Sequence, residues 1–230
     1  MSNTSNASNI SNDATDIQPC TPCYPTGLID TLTLRGGRRV LIRPILPQDD
    51  RLLAAMVNQA SPELRQLRFP SVAGSTWTAA SAEQFRQLTC VDHHRHVALV
   101  ATTVVGGLEV LVGEARFRMD GRGDTAEFVL MVDEDWQRQG IASALMRKLS
   151  KAACDAGVNW LRAEVMAGNA SMLRMMERCR FCCTADEIDP RIVHVETRSR
   201  ALTARRAQTS PGFFEWMQRW LTTPQVVNRY

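Results

Sequence analysis

Residues 137–142 read Gln-Arg-Gln-Gly-Ile-Ala, between a short apolar run and a stretch with helical periodicity. That spacing suits anion binding. The first N–H groups of a helix lack internal partners and carry the positive end of its dipole. A small residue there lets a phosphate approach the backbone closely. Gly140 and Ala142 give such access, so a diphosphate could rest on N–H groups from Arg138 to Ser143, through Gln139 and Ile141. A glycine at a strand-to-helix junction also has a purely steric reading, and this turn alone does not separate the two.

Two other groups of reactive side chains invite a metal reading. Asp92, His93, His94 and His96 hold three of the four histidines, with no further ligand at recognisable spacing. Cys20-x-x-Cys23 and the trio Cys179, Cys182 and Cys183 would form one zinc site only if the N-terminal segment folded back. Seven cysteines without a recognisable signal peptide read as free thiols, not as a disulfide framework. No metal is expected.

The elements that must position the 137–142 turn can be read in order. Residues 128–132 form an apolar strand, broken by acidic residues 133–135. Helical spacing of Leu145, Leu149 and Ala152 follows, and Gly157 stands where the helix stops. Upstream, residues 32–43 predict a hairpin around Gly36-Gly37. Helices are predicted from Pro47, carrying Leu52, Leu53, Met56 and Val57, and over 61–67 with Ser61 as cap and Pro62 at the first position. A loop over 69–78 leads into a helix over 79–88. Strands over 97–105 and 108–117 flank Gly106-Gly107. Downstream come a strand over 160–165, a helix over 172–178 introduced by Asn169, and a strand over 192–197. A polar connector over 202–210 and an apolar-faced helix over 213–221 end the chain.

Length and composition suit one globular domain with tails: 230 residues, 44% of them hydrophobic. Residues 1–26 are a Ser/Asn-rich segment too poor in apolar groups to offset its ordering entropy, and read as a flexible tail. The domain proper is expected over 27–200, with a C-terminal extension over 201–230. A net charge of +3 is too mild to argue for nucleic acid. No apolar run approaches the roughly 20 residues that span a bilayer, so no membrane is expected and the cytoplasm is the expected location.

The stretch around Gln137, Gly140 and Ala142 resembles motif A of the GNAT acetyltransferase superfamily, whose signature is Arg or Gln, two residues, Gly, one residue, then Gly or Ala. Asn169 before a helix and Phe181 beyond it also match. The opening RRVLIRPILPQDDRLLAAMVNQASPELRQLRF is similar to the start of the GNAT domain in bacterial protein lysine acetyltransferases that act on acyl-CoA synthetases. Larger members carry a synthetase-like or nucleotide-sensing region, for which this chain looks too short.

That resemblance implies an α/β (α+β) GNAT fold: a mixed central sheet of about six or seven strands flanked by helices, with a splayed parallel pair admitting acetyl-CoA. It implies acetyl transfer to an amine, with protein lysine the expected acceptor and an acyl-CoA synthetase a possible partner. Glu127, in the matching Ala-Glu-Phe segment, would be the general base, with flanking apolar groups raising its pKa. Backbone N–H groups near Met131 and Val132 would stabilise the developing oxyanion. Asn169 would hold the pantetheine arm. Attack would be direct, in a ternary complex, with no covalent enzyme intermediate.

Three departures stand out. Met176 occupies the place where many relatives have a thiolate-protonating Tyr, so solvent would supply that proton. Arg180 stands for the Gly before Phe181, and Arg138 for another frequent Gly. A small-amine acceptor and a non-catalytic acyl-CoA-binding module stay open as alternatives. The histidine cluster would be surface loop or a rim of the acceptor site. The 213–221 helix would dock on its own domain or form an oligomer contact.

Overall fold

In the computed structural model, residues 24–68 and 82–200 are described. Residues 1–23 of the expected N-terminal tail, with Cys20 and Cys23, the whole 69–78 loop, the first residues of the 79–88 helix, the connector over 202–210 and the 213–221 helix lie outside them. Eight strands form one sheet: β1 (Asp30–Thr33), β2 (Arg39–Pro44), β3 (His96–Val105), β4 (Leu108–Met119), β5 (Thr125–Val132), β6 (Trp160–Met166), β7 (Cys182–Ala185) and β8 (Ile192–Arg198). Their order is β1-β2-β3-β4-β5-β6-β8-β7, antiparallel throughout except for β5 with β6. The count exceeds the expected six or seven. The strand with no apolar signal is β7, which pairs only with β8 and carries Cys182 and Cys183.

Helices cover both faces. On one face, α4 (Ile141–Asp155) and α5 (Ala170–Arg178) pack on the larger apolar cluster, with Leu145, Met146, Leu149 and Met176 fully enclosed. On the other, α1 (Asp50–Gln59) and α3 (Ala82–Thr89) bury Leu53, Met56, Val57 and Phe85 against Val100, Leu111 and Met131. The short α2 (Pro62–Arg68) follows α1. Strand alternation therefore sends Phe128 and Val132 to one core and Met131 to the other. The β3–β4 hairpin turns at Gly106 and Gly107, and β1–β2 at Gly36 and Gly37, all four at positive φ.

Gly113 of β4 has a steric role that its place in a strand signals. A Cβ there would lie 3.3 Å from Ile141 Cγ2, Leu145 Cδ1 and the Met131 carbonyl. Its absence lets the first turn of α4 sit down on the sheet at the end of β5.

Candidate active site

The central feature is the parting of the two parallel strands. β5 and β6 pair only over residues 125–127 against 160–162. From Phe128 onward β5 pairs with β4 alone. The resulting wedge is walled by Phe128, Val129 and Leu130 on one side, by Ala163 and Val165 on the other, and by Asn169 and Met172 at the start of α5. Its walls mix apolar side chains with polar groups, Glu164 among them, and β5's freed edge offers unpaired ladder groups.

The wide end leads to the α4 N-terminus. Gly140 there adopts φ +91, and Arg138 is also left-handed at φ 58. Among the described residues, no backbone N–H of residues 138–143 donates a hydrogen bond. Unsatisfied donors at the positive end of a 15-residue helix form an anion cradle. A Cβ at Gly140 would meet nothing within 4 Å, so crowding does not require a glycine there, whereas its left-handed φ does favour one.

Side chains brace this turn instead of filling it. Gln137 Nε2 donates to the Val132 carbonyl at 3.1 Å, and Gln139 Nε2 to the Asp135 carbonyl at 3.1 Å. Arg38, from the β1–β2 turn, donates to Gln139 Oε1 at 2.9 Å and stacks over the Trp136 ring at 4.4 Å. Sequence reading missed Arg38, because its partner lies 101 residues away and no local pattern marks it. Ser61 ties α2 to the same segment: its N–H and hydroxyl donate to the Glu134 carboxylate at 3.1 and 2.7 Å, while its oxygen caps the Leu64 N–H.

The remaining expected site residues are placed as follows. Ile141 is buried, and Ala142 and Ser143 stand in α4's first turn. Met131 and Val132 are buried, so only their backbone groups can serve the wedge. Asn169 Oδ1 accepts from the Met172 N–H at 3.1 Å and caps α5, which leaves the side-chain NH2 as its donor towards the wedge. Met176 is fully buried in the core, so no proton donor stands at that place. Arg180 takes φ 63, a left-handed conformation that glycine adopts more readily, and Phe181 packs on Phe128 with ring centroids 5.2 Å apart.

Glu127 lies in the last paired row, where the wedge begins. It is exposed, and it joins no hydrogen bond or ion pair among the described residues. The expected apolar flank is corrected: its neighbours in register are Arg118 of β4 and Arg162 of β6.

The histidine cluster is a turn. Asp92 Oδ1 accepts the N–H groups of His94 and His96, both at 2.8 Å, and His93 takes φ 56. No group of three or more His, Cys, Asp or Glu side chains is gathered for a metal among the described residues. Burial, with Arg116 and Arg118 nearby, holds the His96 pKa down to about 4. A histidine depressed from about 6.5 contributes stability that is full above that value and lost as pH falls towards 4. The Tm of the native protein should therefore drop more steeply between pH 6.5 and 4 than that of His96→Gln. Parallel melting curves across that window would disprove this.

Residues 61–181 match the family model described as the acetyltransferase (GNAT) family. The chain is 34% identical over 147 residues to acetyltransferase Pat of Mycolicibacterium smegmatis, covering 63% of this chain and 42% of that protein. It thus spans less than half the length of that relative. It is 31% identical over 131 residues to the L-amino acid N-acetyltransferase AaaT of Escherichia coli, covering 53% of this chain and 71% of that one. The solved GNAT domain of S. lividans PAT superposes with a TM-score of 0.66 at 25% identity, covering 76% of this chain and 99% of that domain.

Proposed function

The chain belongs to the GNAT acetyltransferase family, and from that premise we propose that it moves an acetyl group from acetyl-CoA to an amine, with protein lysine as the acceptor. The observation that carries this reading is the pairing of two features across one wedge. Unsatisfied N–H groups stand at its wide end, and an unpaired carboxylate stands at its apex. Between Glu127 and Val132, β5 runs five residues, roughly 16 Å at about 3.3 Å per residue. An extended pantetheine arm lying along this edge would bring the thioester towards Glu127.

In this scheme the α4 N-terminus binds the diphosphate, with the backbone of residues 138–143 as donors and Arg38 holding the turn. The Asn169 amide binds the arm. Glu127 takes the proton from the acceptor ammonium, and the amine attacks the thioester carbon directly. Backbone N–H groups near Met131 and Val132 lie at the diphosphate end of the wedge and hold the arm, and freed β5 N–H groups nearer Glu127 receive the developing oxyanion. The thiolate leaves and is protonated by solvent, while the nitrogen of the tetrahedral adduct releases its second proton to solvent as the amide forms.

Protein lysine is favoured by the resemblance of the opening segment to bacterial protein lysine acetyltransferases; the similarity to acetyltransferase Pat and to the S. lividans PAT domain is compatible with it. Similarity to AaaT supports a second reading, in which the acceptor is a small amine. An acyl-CoA synthetase is the proposed protein partner, and the cytoplasm the proposed location. No described helix is long and apolar enough to cross a membrane.

The cofactor assignment is tested by melting. A ligand selective for the native state, at a hundredfold above its Kd, stabilises it by about 2.7 kcal/mol. At roughly 2–4 °C per kcal/mol for a chain of this size, Tm should rise by roughly 5–10 °C with acetyl-CoA. No rise at saturating acetyl-CoA would remove the assignment. A thiol-release assay across acyl-CoA synthetases and small amines then separates the two acceptor readings. Turnover confined to small amines would reject protein lysine.

A further inference from the structure

Glu127 belongs to a row of polar side chains running across the sheet. Register aligns His96 of β3, Arg118 of β4, Glu127 of β5, Arg162 of β6 and Glu196 of β8. Residues aligned in this way project from one face, with Cβ atoms about 4.5–5.5 Å apart. The face is opposite to α4, since the intervening Ala126 and Leu161 enter the α4 core. Arg118, Glu127 and Arg162 are all exposed.

Opposite charges one strand apart ordinarily pair. Arg162 does so with Glu196, Nε to Oε2 at 3.1 Å. Arg118 and Glu127 do not: neither joins an ion pair or hydrogen bond among the described residues. An open guanidinium and an open carboxylate thus stand on neighbouring strands. On the far side of Arg118 stands His96, a side chain that carries no negative charge.

We propose that Arg118 determines acceptor specificity by binding a carboxylate that the acceptor carries next to its reacting amine. Ammonium beside carboxylate is the complement of Glu127 beside Arg118, and a guanidinium binds a carboxylate through two parallel N–H donors. A cationic flank would be repelled. The inference rests on Glu127 as the base. Two sources supply the same chemistry: an acidic residue beside a target lysine, or the α-carboxylate of an amino acid.

The test uses the full chain with acetyl-CoA and matched acceptors. Peptides differing only in Lys-Asp, Lys-Asn or Lys-Lys form one arm; methionine and methionine amide form the other. In at least one arm the carboxylate-bearing acceptor should have a kcat/KM about tenfold to a hundredfold higher, the range of a charge-assisted contact. Arg118→Gln should erase that preference through KM while acetyl-CoA affinity by calorimetry holds. Indifference to the carboxylate in both arms, or an equal loss of acetyl-CoA affinity, overturns the inference. If nothing is acetylated, equilibrium binding of the same acceptors to CoA-saturated protein decides. A carboxylate preference that Arg118→Gln removes upholds the site and rejects only the enzymatic reading. Equal binding rejects the inference.

Discussion

Glu127→Gln is expected to lower kcat by about 10²–10⁴-fold while leaving the acetyl-CoA Kd unchanged, the range assigned to a positioned general base. A lysine amine with a pKa near 10.4 is almost wholly protonated at pH 7, and baring its lone pair costs roughly 4–5 kcal/mol. Glutamine keeps the size of the side chain and cannot take the proton. Glu127 is exposed and makes no contact that the fold would lose, so the variant should melt with the native protein. The phosphate cradle lies at the other end of the wedge and should still bind. The rate of the variant should recover with rising pH, approaching tenfold per unit, as solvent deprotonates the amine. Equal loss of cofactor binding and rate, or a rate that ignores pH, would make the carboxylate structural.

Much of this site was legible in the sequence because its determinants are local. The 137–142 turn and the helix after it carry their signal in consecutive residues, and α4 indeed runs over Ile141–Asp155 and stops before Gly157. Ser61 and Pro62 likewise announced α2, whose Leu64 N–H is capped by the Ser61 hydroxyl. What stayed hidden depends on partners far along the chain. Arg38 reaches Gln139 across 101 residues. The alignment of Arg118, Glu127 and Arg162 exists only once three strands take register. β7 was missed because Cys-Cys-Thr-Ala has too little apolar alternation to read as a strand; only pairing with β8 makes it one.

The two departures at glycine positions show how far a motif can drift without losing its shape. Arg138 and Arg180 hold left-handed φ values of 58 and 63. Each costs on the order of 1–2 kcal/mol relative to an unstrained residue. The surrounding turn imposes the conformation, so the backbone path needed at the cradle and before Phe181 survives the change in residue type. At Arg138 a cationic side chain beside an anion site offers some return for that strain.

The acceptor face depends on a buried ion pair at the join of β2 and α1. Asp49, 2% exposed, receives Arg43 at 2.6 and 2.8 Å and the Leu46 N–H at 2.7 Å. That carboxylate holds the turn after Pro44, and so the entry of α1 onto Met131 and Val100. Asp49→Ala would leave the Arg43 guanidinium buried, with Glu109 at 3.3 Å as its remaining carboxylate. Stranding one partner of a buried pair costs about 3–5 kcal/mol, and with Glu109 still in reach the lower end, about 3 kcal/mol, is expected. Tm should fall by roughly 6–12 °C at about 2–4 °C per kcal/mol. Removing both charges with an apolar pair of similar volume, Arg43→Met with Asp49→Leu, should restore much of the loss, because the stranded charge and not the missing attraction dominates. A double variant no more stable than Asp49→Ala would show that the Leu46 N–H contact carries the turn. Since α1 packs on the face from which Glu127 projects, Asp49→Ala should also raise the acceptor KM more than the acetyl-CoA Kd.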